Sequence, residues 1–146
     1  MAGLLYVWRN VVQVAMSFPV GAMADRFGHL PLLVSGYALG TLTAILTAFA
    51  FWLSVHSVTL FAAIFCIAGL YVTVEEALEP TVAAGMVEGD TLEVSYGALG
   101  TVNGIAKLVS STSVGLIWTT VSPVLGFGLA ALLMAAGTLV LFRKWK

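Results

Sequence analysis

Charge is scarce in this chain: 9% of its 146 residues are Asp, Glu, Lys or Arg, and the formal net charge is −1. A balance so near neutral offers no basic face for nucleic acid. Cysteine is nearly absent. Cys66 stands alone in an apolar run, which excludes an intrachain disulfide and makes it a packing residue before a redox one. The two histidines, His29 and His56, fall in predicted turns, and no His/Cys/Asp cluster has metal-ligand spacing. The serines of the fourth apolar segment have no histidine beside them for nucleophilic catalysis. No basic n-region precedes the first apolar span, whose first basic residue is Arg9, so no cleavable targeting segment is read. No Ser/Gly-rich linker or low-complexity tract divides the chain, which reads as a single membrane domain over 1–146. The alternating ten-residue strands of a membrane β-barrel are missing as well. Enzyme, metal and cofactor chemistry therefore find no support.

What remains is apolar: 60% of the residues are hydrophobic, too many for a soluble domain. A helix needs about 20 residues to cross a bilayer. Five segments of that order can be marked: Gly3–Ala24, Leu30–Trp52, Val58–Leu78, Gly97–Val121 and Pro123–Phe142. The expected fold is an all-α polytopic membrane bundle in contact with the lipid bilayer. Glu75, Glu76 and Glu79 interrupt the third segment, which ends near Leu78 or continues to about Val87 with Pro80 as a bend. An acidic stretch, Glu88–Glu93, follows. Gly36 with Gly40, and Gly100 with Gly104, form Gly-x-x-x-Gly pairs on the second and fourth segments, where helices can approach closely. Ser110, Ser111, Thr112 and Ser113 can bond back to carbonyls or neighbouring helices, or line a substrate path.

Lys and Arg gather on the cytoplasmic side of membrane proteins. With the Asp25–His29 turn inside, Arg26 is inside, and so are Arg143, Lys144 and Lys146. The two outer turns, around Leu53–Ser57 and Val121–Pro123, then carry no Lys or Arg. The N-terminus is expected outside and the C-terminus in the cytoplasm.

The stretch Gly21–His29 is the break around which the first two segments turn. Asp25 and Arg26 belong at an interface rather than in hydrocarbon, so the flanking segments are consecutive spanning helices. Gly28 allows a close turn, and Asp25 can accept from backbone N–H groups at a nearby helix start. The pattern Gly21-x-x-x-Asp25-Arg26-x-Gly28 resembles the cytoplasmic loop signature of the major facilitator superfamily of secondary transporters, found there between helices 2 and 3 and between helices 8 and 9. His29, Leu30 and Pro31 follow where the family usually continues with basic residues. Tyr6–Asn10 with Pro19-Val20-Gly21 resembles the eighth helix of many bacterial members. Glu75–Pro80 resembles the end of the tenth. Ser95–Gly100 resembles the start of the eleventh, without the Arg-Gly that often precedes it. The resemblance thus runs over helices 8–12 in family order and implies a bacterial plasma (inner) membrane.

The bilayer penalises ionisable residues, so those within the spans carry functional information. Arg9, beside Asn10 and Gln13, lies on the first helix; Glu75, Glu76 and Glu79 lie on the third; Lys107 lies on the fourth, roughly 15 Å from the inner side. The resemblance implies that the first, third and fourth segments line a central cavity and that the second and fifth are peripheral. All these charges fall on the lining set. Two readings compete. Lys107 can be neutralised by an acid of the third helix in a packing pair. Alternatively Glu75 or Glu76, desolvated, takes up and releases a proton during transport, while Arg9 or Lys107 attracts substrate. Glu79 is expected as a solvated helix-end charge.

Family members bind a small solute between two six-helix halves and rock one against the other. The resemblance therefore implies a fragment of a secondary transporter, whose partner is a missing N-terminal half or another membrane chain. A small multispan protein with a structural or assembly role is the alternative.

Overall fold

The computed structural model describes residues 2–55, 57–86 and 91–145. His56, Val87, the Glu88–Asp90 part of the acidic stretch, and Lys146 lie outside the described residues. Five helices follow one another: α1 (Ala2–Phe27), α2 (His29–Trp52), α3 (Val58–Ala84), α4 (Leu92–Thr120) and α5 (Pro123–Trp145). Among the described residues there is no strand. A helix satisfies its own backbone polar groups, which is what a hydrocarbon surrounding demands of so apolar a chain. The fold is an all-α bundle of the membrane type.

Three helices, α2, α3 and α5, are long and apolar enough to cross a bilayer by length and composition. The first and fourth segments, expected to span, are less apolar than these. Their apolar runs are broken by Arg9, Asn10 and Gln13 on α1, and by Asn103, Lys107 and the hydroxyl residues 110–113 on α4.

Helix ends differ from the hydropathy pattern where polar residues continue a helix. α3 passes Leu78 and carries Pro80 inside it, ending at Ala84. α4 starts at Leu92, ahead of the apolar run at Gly97. The turn at Asp25–His29 contracts to one residue: α1 continues to Phe27 and α2 opens at His29. Gly28 makes this possible with φ 94° and ψ 146°, a region that a β-carbon penalises. Its N–H donates to the Ala24 carbonyl at 2.9 Å. The N-cap of α2 is Gly28, with no side-chain capping bond; Asp25 sits in the last turn of α1, with Oδ1 3.9 Å from His29 Nε2.

α2 lies between α3 and α5 and packs on both, while α1 packs chiefly on α3. α4 leans on α5 and touches α3 more sparingly. The second helix, peripheral by the resemblance, is therefore well enclosed, with Leu33, Val34, Gly36, Gly40, Ala44 and Ala50 buried. Its glycines explain this. A β-carbon on Gly36 would overlap Val74 of α3, and one on Gly40 would come within 2.5 Å of Met134 Cε and 2.8 Å of Tyr71 Cδ2. The second pair behaves differently, because a β-carbon on Gly100 or Gly104 would meet nothing within 4 Å. No residue of α4 is buried among those described.

Gly69 performs a close-approach role that the sequence pattern does not reveal. A β-carbon there would lie 2.9 Å from the Arg9 carbonyl, so α1 and α3 meet backbone to backbone. Thr73, buried beside it, donates to the Gln13 carbonyl at 3.3 Å and to the Gly69 carbonyl at 2.7 Å. At one end of the bundle Phe51, Phe61, Trp118 and Phe127 bring four helices together, with Phe51 stacked on Phe127 at 5.7 Å.

Candidate functional site

The polar residues that lower the hydropathy of α1 and α4 converge on α3. An open cleft of about 690 Å³ is lined by Arg9 of α1, Tyr37 of α2, Tyr71, Glu75, Glu76 and Glu79 of α3, and Asn103, Lys107, Ser110 and Ser111 of α4. Helical spacing sets the α3 contribution, because residues four apart share a face. Tyr71, Glu75 and Glu79 follow that spacing, and Glu76 flanks them towards α1.

Each charge has an identifiable neighbour. Lys107 Nζ lies 3.7 Å from Glu75 Oε1, joining α4 to α3; Glu75 is largely covered and Lys107 largely exposed. Glu76 takes a different partner, accepting from Gln13 Nε2 of α1 at 2.6 Å. Tyr37 and Tyr71 line the same cleft as Glu75 and Glu79. Their rings stand 6.3 Å apart at 53°. Arg9 turns along its own helix. Its guanidinium donates to Asn10 Oδ1 at 3.3 Å and sits 5.0 Å from the centre of the Tyr6 ring. Its Nε is buried without a hydrogen-bond partner.

The structure therefore brings Arg9, Glu75, Glu76 and Lys107 to one cleft and adds Glu79 to its lining. Ser110 and Ser111 line it; Ser113 lines an adjoining apolar space. The sequence pattern does not single out Tyr37 or Tyr71. For Tyr71 a signal exists, since it precedes Glu75 by one helical turn; for Tyr37, on an otherwise apolar helix, none does. The residues of the Gly21–Gly28 signature lie apart from the cleft and do not line it. Asp25 is largely exposed there. Among the described residues no three His, Cys, Asp or Glu side chains come together as a metal site.

The cleft is open, and three carboxylates and two cationic side chains give it a polar, charged lining.

No family model matches the chain, and no solved structure matches it with significance. It is similar to an uncharacterised MFS-type transporter of Methanocaldococcus jannaschii, with 27% identity over 140 residues, covering 94% of this chain and 33% of that protein. The chain thus spans about a third of the length of the curated relative it matches. Three apolar helices fit this partial match to a transporter and an integral membrane protein.

Proposed function

We propose that the chain is the C-terminal portion of a major facilitator superfamily transporter that moves a small solute across a plasma membrane, coupled to protons. The observation that carries this reading is the convergence of Arg9, Glu75, Glu76, Glu79 and Lys107, drawn from three helices, on one open cleft. Ionisable groups in membrane helices mark substrate and proton paths when they face a shared cavity. The similarity to a transporter over nearly the whole chain supports the same reading.

In this proposal the cleft is half of a substrate chamber, and the other wall comes from an N-terminal half or another membrane chain. Glu76 is the foremost proton carrier. It accepts from the neutral Gln13, and among the described residues it has no ion-pair partner, whereas Glu75 has Lys107. The proposal puts the N-terminus outside and the C-terminus in the cytoplasm, a reading supported by the distribution of Lys and Arg.

An epitope tag after Lys146, introduced at the natural locus, reports the size of the product in membranes. A product near three times this length is expected, and a product of this length that runs without a partner overturns transport. In proteoliposomes of the longer product, Glu76→Gln is expected to abolish uptake driven by a pH gradient while leaving solute exchange without a gradient. Lys107→Ala is expected to slow both. Equal loss of gradient-driven uptake and exchange in Glu76→Gln would remove the proton role.

A further inference from the structure

The charges of the cleft do not balance. Three carboxylates, Glu75, Glu76 and Glu79, face two cations, Arg9 and Lys107. Lys107 is engaged with Glu75. Arg9 is turned to Asn10 and the Tyr6 ring, and it forms no ion pair among the described residues. Glu76 and Glu79 are thus left without an ion pair among the described residues: Gln13 donates to Glu76, and Tyr37 lines the cleft with Glu79. An open cleft with this excess of carboxylates attracts positive charge.

The cleft also has an annex. A second space of about 480 Å³ is walled by Ala106, Val109, Leu129, Leu133, Met134 and neighbouring small residues between α4 and α5. Tyr37, Tyr71, Ala106, Ser110 and Val114 belong to the walls of both spaces, so the acidic cleft and the apolar annex meet at the tyrosine pair. Aromatic rings beside carboxylates suit an organic cation, because the ring face attracts positive charge and costs less desolvation than a second acid.

We propose that the joined spaces take an amphiphilic organic cation. Its charged head lies by Glu76 and Glu79 against Tyr37 and Tyr71, and its apolar body fills the annex between α4 and α5. This rests on the transporter reading for its physiological sense, but the binding chemistry is independent of movement.

The test is equilibrium binding of radiolabelled tetraphenylphosphonium to the intact natural product in nanodiscs, with empty nanodiscs subtracted. Tetraphenylborate, of the same shape and opposite charge, is the comparison. Saturable phosphonium binding that the borate does not match is expected. Glu76→Gln with Glu79→Gln should weaken it about tenfold, because both carboxylates beside the charged head are removed. Lys107→Gln should strengthen it, since Glu75 is then released, and a gain cannot come from misfolding. Borate binding as tight as phosphonium binding would overturn the proposal, because the site would then make no distinction of charge. So would phosphonium binding unchanged in Lys107→Gln. Transport of another solute without saturable phosphonium binding rejects the cation and leaves the transporter reading standing. Saturable phosphonium binding without movement into liposomes supports the cation and counts against transport.

Discussion

Gly28 and Gly21 belong to the same short stretch, yet their backbones face different demands. Gly28 sits at φ 94°, and its missing β-carbon would also lie 3.4 Å from Pro31 Cδ. Gly21 is helical with open space around it. Gly28→Ala is expected to cost about 1–3 kcal/mol, the range for a residue forced into a backbone region essentially reserved for glycine. Gly21→Ala should be neutral or slightly stabilising, because alanine is the better helix former. Thermal unfolding in detergent, followed by helical circular dichroism, checks the pair; equal midpoints would show that the turn relaxes. A pattern of glycines in sequence marks both positions alike, and the difference between them lies in the backbone angle. The same holds at the cleft. Ionisable residues in an apolar chain are conspicuous enough to pick out Arg9, Glu75, Glu76 and Lys107. Which carboxylate meets Lys107 depends on the rotation of two helices, and hydropathy carries no information about rotation.

At the scale of the helix, the two Gly-x-x-x-Gly pairs share one sequence pattern and have opposite surroundings. Gly36 and Gly40 are pressed against Val74, Tyr71 and Met134, whereas Gly100 and Gly104 face open space. Gly36→Ala is expected to destabilise by about 1–3 kcal/mol through overpacking, and Gly100→Ala to leave this chain's stability unchanged. Reversible unfolding by a denaturing detergent measures both; similar losses would mean that a neighbour packs closely on α4 at Gly100. Element positions are largely legible because long apolar runs are conspicuous. Their ends are less so: hydropathy reports where apolar side chains stop, but Glu79, Thr81, Glu93 and Ser95 continue a helix without being apolar. Gly69, where the backbones of α1 and α3 approach closely, has no second glycine four residues away and is invisible to a search for pairs.

For the whole molecule, α4 is the least enclosed part of the bundle. Val102, Ile105, Leu108 and Val109 are each more than half exposed, at 63%, 58%, 68% and 58%. If the transporter reading holds, lipid covers part of this surface and the remaining protein covers the side nearest the cleft. A cysteine placed at Gly104, with Cys66→Ser to remove the native thiol, is expected to react readily with a water-soluble maleimide in the isolated 146-residue chain. It should be protected in the longer natural product. Equal labelling rates in the two would remove the covering wall and favour a chain that acts as an assembly partner.

The aromatic knot of Phe51, Phe61, Trp118 and Phe127 has a mechanical consequence. It ties α4 to its neighbours near Trp118, while Lys107 lies about eleven residues away, a lever arm of about 16 Å at the helical rise per residue. A tilt of about 10° around the knot swings the Lys107 backbone by about 3 Å. The separation of 3.7 Å between Lys107 and Glu75 can nearly double in such a swing. The pivot and the moving charge are thus built into one helix, and a small angular change at one end becomes an electrostatic change at the other.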